Sequence, residues 1–449
     1  MNNNNPEKRV LIMGAGGRDF HTFLTCLRDD ADLRVVGFTA TQIPFIADRR
    51  FPAALSGPRY PEGLPIFEEE DLLTVIESEK VDEVIFAYSD VSLDYLEEKR
   101  ALVEQAGASF TTFDVDRTMV KSTKPVIAVT AVRTGCGKSA VSRAVVTCLK
   151  EMGLRGAAIR HPMPYGNLEK QAVQRFETFD DLRTAECTIE EREEYEPHIM
   201  AGSIVFAGVD YEAIVRKAEE EVDVVIWDGG NNDTPFYKPD LWMVIADPLR
   251  PGDELTYFPG RANFERADVI IINKVESATP EGLEIVRKNA KQFNPKARVL
   301  ETKMPVTLTP EEAAKVKGAR VLVVEDGPTV THGGMQTGAG TIAAQLYGAA
   351  EVIEPRPFLK GLLAETFEKY PGIGKLVPAM GYSDQQIADL EATINASDAD
   401  VVLVGTPINL GGLIEIDKPH VWARYDVEFA GKSDLSDVIE KALKLESSL

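Results

Sequence analysis

An α/β fold of doubly wound parallel sheets is predicted by three observations. Apolar runs of strand length recur along the chain, among them Val10–Met13, Leu33–Thr39, Glu83–Tyr88, Pro125–Ala131, Val222–Trp227, Leu241–Ala246 and Ala267–Ile272. Helix-forming stretches alternate with them, the order that right-handed crossovers between parallel strands require. Glycines, acids and cations gather in the loops after the runs, at the carboxyl edge where open α/β sheets bind their ligands.

The first unit spans 1–118 and reads as a Rossmann-like domain. The asparagine-rich leader Met1–Asn5 precedes it, and the strand Val10–Met13 ends in Gly14-Ala-Gly-Gly-Arg-Asp19 before the helix His21–Arg28. A nicotinamide site fits poorly. The sixth position of G-x-G-x-x-G is Asp19, and the second strand ends in Thr39-Ala-Thr41 where a ribose-binding acid belongs. The loop either cradles a phosphate or carboxylate, with Arg18 beside it, or is only a tight turn.

The second unit, 119–345, carries the most specific signal. The strand from Pro125 runs into Arg133-Thr134-Gly135-Cys136-Gly137-Lys138-Ser139 and a helix from Ala140 to Lys150. Backbone amides of Thr134 to Ala140 can surround a polyphosphate, Lys138 can reach its outer phosphates, and the Ser139 hydroxyl can ligate Mg²⁺. Val132 stands where the loop's first glycine belongs, and Arg133 occupies the signature-lysine position of a variant loop. The pattern resembles the P-loop NTPase class of dethiobiotin synthetase, nitrogenase iron protein and signal-recognition GTPases.

Val222-Asp-Val-Val-Ile-Trp-Asp228-Gly-Gly is a Walker B candidate, a buried strand ending in an acid that can hold Mg²⁺ directly or through water. Asn273-Lys274-Val-Glu276 resembles the base-reading N-K-x-D motif, with the acid lengthened, so adenine and guanine both stay open. The second strand of this unit, Gly156–Arg160, delivers His161-Pro-Met-Pro-Tyr-Gly166. The Glu-rich stretch Phe176–His198 has too few periodic apolar positions for a core element and reads as an insertion or lid. Val321–Glu325 leads into a glycine-rich loop with His332, which can bind phosphate or move a proton. The remainder, 346–449, reads as an α/β extension that completes or flanks the P-loop unit.

At 449 residues, 44% of them hydrophobic, the chain is long enough for two or three domains. Its net charge of −23 repels nucleic acid and anionic membranes, so an anionic substrate must enter through a local basic pocket. With no basic-plus-apolar leader and no apolar run of about 18 residues read from the sequence, a cytoplasmic location is expected. Cys26, Cys136, Cys148 and Cys187 lack C-x-x-C spacing, which argues against disulfides and a cysteine-based zinc site.

The phosphate loop, His161-Pro-Met-Pro-Tyr-Gly, Trp227-Asp-Gly-Gly-Asn-Asn-Asp233, Glu325-Asp-Gly-Pro-Thr-Val-Thr-His-Gly-Gly334 and Gly405-Thr-Pro407 together resemble the cyclic 2,3-diphosphoglycerate synthetase family and its GTPase-like relatives. The resemblance covers almost the whole chain. It implies an ATP- and Mg²⁺-dependent ligase that cyclises 2,3-diphosphoglycerate by phosphoryl transfer, with Lys138, Arg133, Asp228, His161 and His332 as catalytic candidates. Arg18, Arg160, Arg175, Arg250 and Lys303 are the candidates for holding a small phosphorylated acid. By analogy with variant-loop proteins a homodimer is expected, with Arg133 reaching into the neighbouring subunit. The alternative is a P-loop GTPase that switches a protein partner.

Overall fold

The computed structural model describes residues 7–41, 49–161, 166–331, 334–381, 383–408, 410–431 and 434–444. Three larger sheets organise them. The N-terminal sheet has the order Arg50–Phe51, Leu64–Glu68, Leu33–Ala40, Lys8–Met13, Glu83–Phe86, Ser109–Thr112. All neighbours pair in parallel except the short outer strand. One face is filled by Phe20, Phe23, Phe38 and Phe51, whose rings meet mostly edge to face.

The central sheet has nine strands. In spatial order they are Gln174–Phe176, Ile204–Ala207, Gly156–Arg160, Val224–Trp227, Val126–Ala131, Leu241–Ala246, Val269–Ile272, Arg298–Lys303 and Glu428–Phe429. The inner seven are parallel, and both edges are antiparallel. Every residue of Val126–Ala131 is buried, because helices cover both faces of the sheet, and this explains a continuous apolar run in place of an alternating one. Its two neighbours, Val224–Trp227 and Leu241–Ala246, end at the same edge and bring Asp228 and Asp247 to the loop that follows Ala131.

The third sheet corrects the expected domain limits. Arg320–Asp326 lies between Glu351–Val352 and Val401–Val404, with His420–Trp422 beyond and Val377–Ala379 pairing to its far end. Residues 320–345, expected in the P-loop unit, therefore build the C-terminal one. The chain then returns: Glu428–Phe429 joins the central sheet, and Asp434–Leu443 sends Leu435, Val438 and Ile439 into its core. A short apolar run such as Val321–Val324 carries no mark of which parallel sheet it will enter.

Arg18 fastens the first sheet to the second. Its guanidinium is 2% exposed, lies between the rings of Phe113 and Phe236, and donates to the hydroxyls of Thr118 and Thr234. Val91–Ser92 also pairs with Tyr257–Phe258 across the same junction. Among the described residues no helix is long and apolar enough to cross a membrane.

Candidate nucleotide and ligand site

The carboxyl edges of the three sheets open into one cavity of about 360 Å³. Thr134, Gly135, Gly137, Lys138, Ser139 and Ala140 form one wall of it. Gly135 and Gly137 have φ of 82° and 97°, a left-handed conformation that side chains resist, so the loop curls its amides inward only because glycine stands there. Val132 is accommodated by a glycine elsewhere. A Cβ on Gly260 would lie 2.0 Å from the Val132 carbonyl oxygen, so Gly260 supplies the close approach.

Beneath the loop, the two motif residues from the strand after Ile272 act as braces. Asn273 donates to the Cys136 carbonyl at 2.9 Å and accepts from the Thr302 hydroxyl, while Lys274 donates to the Gly135 carbonyl at 2.6 Å and pairs with Asp247. Arg250 supports the other side, donating to the Thr134 carbonyl at 2.8 Å. Cys136 faces away from the cavity, and burial pushes its thiol up to about 11.

Lys138 and Asp228 meet as the sequence pattern requires. Lys138 Nζ lies 2.5 Å from Asp228 Oδ1, and Asp228 Oδ2 takes Arg160 at 2.7 Å and His198 at 2.9 Å. Burial alone would raise this carboxyl, yet Arg160, Lys138 and His198 outweigh it and hold it well below the usual range. Burial and the neighbouring Arg160 lower Lys138 to about 8. Arg160 is itself paired with Glu194. These residues fit a polyphosphate and its metal: two cations face the loop, and the Arg160 Nε is buried without a hydrogen-bond partner among the described residues. Ser139 and Asp228 would hold Mg²⁺. Both Asp228 oxygens already carry cationic partners, which suits a water-mediated contact better than a direct one.

Other candidates have different places. Arg133 lines the cavity, but its guanidinium stacks 3.8 Å over Tyr257 and reaches Asp253 and Asp90 of its own chain. His161 also lines it and has both ring nitrogens engaged, Nδ1 with the Tyr211 hydroxyl and Nε2 with Asp233. A carboxylate only accepts, so Nε2 carries the proton and Nδ1 receives the one from Tyr211. The imidazole is neutral, because burial lowers it more than Asp233 raises it. It positions Asp233 and offers no free nitrogen as a base.

Arg18 does line the cavity, with its guanidinium held in the domain junction by Thr118 and Thr234. Two expected substrate contacts are not brought to the cavity. Arg175 sits on an edge strand, paired with Glu221 and Glu177, and Lys303 is exposed where its strand pairs with Glu428. Arg250 braces the loop from behind. His332 lies outside the described residues. The glycine loop of the first domain also lines the cavity, but the amides of Gly16, Gly17 and Phe20 already donate to Asp19 Oδ1.

The Glu-rich stretch, expected as an insertion or lid, contributes Glu190, Glu193 and Glu194 to the cavity lining. Its helix Ile189–Met200 starts in a capping box between Thr188 and Glu191 and buries Glu190, Glu193, Tyr195 and His198. The helix and its flanks make a small core from Phe176, Leu182, Tyr195 and Ile199. Sequence reading overlooked His198, Glu190 and Glu193. Their i, i+3, i+8 spacing on one helix face was the available signal.

No family model matches the chain. Among solved structures, LpxK from Aquifex aeolicus in complex with ATP is 14% identical, with a TM-score of 0.44 over 78% of this chain and 98% of that one. Cobyrinic acid a,c-diamide synthase from Mycobacterium smegmatis is 16% identical, with a TM-score of 0.18 over 40% of this chain and 72% of that one. The curated arginine synthetase ArcE of Thermococcus kodakarensis is 54% identical over 438 residues, covering 98% of this chain and 97% of its own. On that identity, sustained over nearly the whole length of both, the chain belongs to the arginine synthetase ArcE family.

Proposed function

We propose that the protein is an ATP- and Mg²⁺-dependent ligase whose product is arginine. The observation that carries the ligase reading is the meeting of Lys138, Arg160 and Asp228 beside a glycine loop that opens into a three-sided cavity. ATP supplies a phosphoryl group that makes an acceptor oxygen a good leaving group. Lys138 and Arg160 neutralise charge on the phosphates, and Asn273, Lys274 and Arg250 keep the loop amides aimed at them. The arginine assignment is taken from the 54% identical relative. The base contact is left to the surroundings of Lys274, Ser277 and Met304, which line the cavity.

Cyclisation of 2,3-diphosphoglycerate is the second reading, favoured by Lys138, Arg133 and Arg160 in the cavity lining. The acids Glu190, Glu193, Glu325 and Asp326 line the same cavity and work against it, because in their charged form they repel a polyanion. A guanosine switch gains little support from Glu276, whose carboxylate accepts from the Met304 amide.

The test is product analysis. The purified chain is given Mg²⁺ and ATP with ammonia and amino acids one group short of arginine, or with 2,3-diphosphoglycerate. Arginine formed in step with ATP use supports the proposal. A cyclic diphosphoglycerate as the only product assigns the second reading. GTP hydrolysis that no metabolite stimulates overturns both.

A further inference from the structure

The helix Ile189–Met200 joins the nucleotide wall to the C-terminal sheet. At its far end His198 touches Asp228, and one turn earlier Glu194 pairs with Arg160. Its beginning is built differently. Glu190, 1% exposed, accepts the Gly381 amide at 2.9 Å through Oε1, while Oε2 has no hydrogen-bond partner among the described residues. Glu193, 5% exposed, accepts the Thr406 hydroxyl at 2.7 Å. Asp326, at the end of Arg320–Asp326, accepts only the amide and hydroxyl of Thr329 among the described residues, and lies near enough to act on Glu193. All three face the cavity.

No lysine, arginine or histidine compensates these acids among the described residues. Withdrawing carboxylates from water without a counter-charge costs several kcal/mol each, so either protons or a ligand must offset it. Burial is the main reason that Glu190 is pushed up to about 7 and Glu193 and Asp326 are raised. A resident metal is a poor candidate, since among the described residues no three His, Cys, Asp or Glu side chains are grouped to hold one. The relative's product supplies an independent pointer, because arginine carries two organic cations.

The geometry points to a subsite for an organic cation, the ammonium or guanidinium group of the acceptor or product, formed by Glu190 and Glu193 with Asp326. This rests on the ligase reading and deepens it. The cavity is then bipolar, with phosphates held at Lys138 and the ligand's positive group held at the acids.

The test uses the full chain and four probes: arginine, N-acetylarginine, methylguanidinium chloride and methylammonium chloride. Binding is measured by calorimetry or saturation-transfer NMR in the wild type, E190Q, E193Q and E190Q/E193Q, with ATP binding as the control for folding. The expected result is cation binding weakened tenfold or more in the double variant, with the ATP Kd within twofold. Loss of affinity on acetylating arginine assigns the subsite to the ammonium, and undiminished affinity assigns it to the guanidinium. Should the double variant fail to bind ATP, the single variants decide by the same criterion. No cation binding by the wild type, or equal binding by wild type and variants, overturns the subsite. Acid-dependent binding of the small cations by a chain that makes no arginine leaves the subsite standing and removes the proposed product.

Discussion

Lys138 Nζ lies 2.5 Å from Asp228 Oδ1, and the remaining oxygen of that acid takes Arg160 and His198. Three potential cations thus meet one carboxylate that is fully buried. Removing the carboxylate takes that partner from Lys138 and His198 and leaves Arg160 with Glu194 alone, whereas removing Lys138 leaves two partners in place. Asp228→Ala is expected to cost about 3–5 kcal/mol of stability, and Lys138→Met clearly less, in urea titrations. Both should lower ATP turnover at least about 100-fold, as loss of an electrostatic catalytic contact does. Equal stability losses would contradict the shared-acid arrangement.

Proton release on ligand binding follows from the acid wall. Glu190 is raised to about 7, chiefly by burial and against hydrogen bonds from Gly381 and Thr188, with the like-charged Glu191 adding to the rise. Glu193 and Asp326 face the same space, and no base is paired with them among the described residues. An arriving cation favours the charged carboxylates and so expels protons. Arginine affinity should rise as pH increases through about 7, and calorimetry at pH 7 in buffers of different ionisation enthalpy should show net proton release. Uptake, or no exchange at all, would contradict the assignment.

Asp19 supplies a stability test that leaves the cavity's catalytic wall untouched. Its Oδ1 accepts three backbone amides, and burial raises the carboxyl from 3.8 to about 6. A carboxyl raised in the folded state binds its proton more tightly there, so the contribution of Asp19 to stability is greatest below about pH 4 and falls as pH climbs through 6. That difference corresponds to roughly 3 kcal/mol at neutral pH. Asp19→Asn keeps an acceptor oxygen without the charge and should flatten this pH dependence. Asp19→Ala orphans the donors and should destabilise by at least about 2 kcal/mol. The wild type should not bind NADH, because the loop's amides are already taken.

The same residue shows where sequence reading succeeds and where it stops. Asp19 at the sixth glycine position and Thr41 after the second strand were enough to disfavour a dinucleotide. That the acid itself fills the loop required coordinates. Lys138 and Asp228 were legible because strand, loop and acid follow from local pattern, and parallel order brings them to one edge. His198, Glu190 and Glu193 were hidden because buried acids on a helix look like a solvated charge run until their partners, Asp228, Gly381 and Thr406, arrive from distant segments. The division between second and third sheets was hidden for a related reason, since Val321–Val324 fits either one.

Arg133 gives the last prediction, which concerns whether the signature position acts within its own chain or across a dimer. Its guanidinium stacks on Tyr257 and is paired with Asp253 and Asp90, so leaving for another subunit would expose a ring and strand two acids. An Arg133→Ala chain mixed or co-expressed with a Lys138→Met chain should therefore regain no ATP turnover. A residue acting across subunits predicts the reverse, because a mixed dimer would contain one site with its own Lys138 and a borrowed Arg133. Arg133→Ala alone should lower turnover by roughly tenfold through loss of loop positioning, and Arg133→Lys should recover only part of it, since an ammonium cannot stack and reach both acids together. Restored activity in the mixture, scaling with the fraction of mixed dimers, would place the arginine in trans.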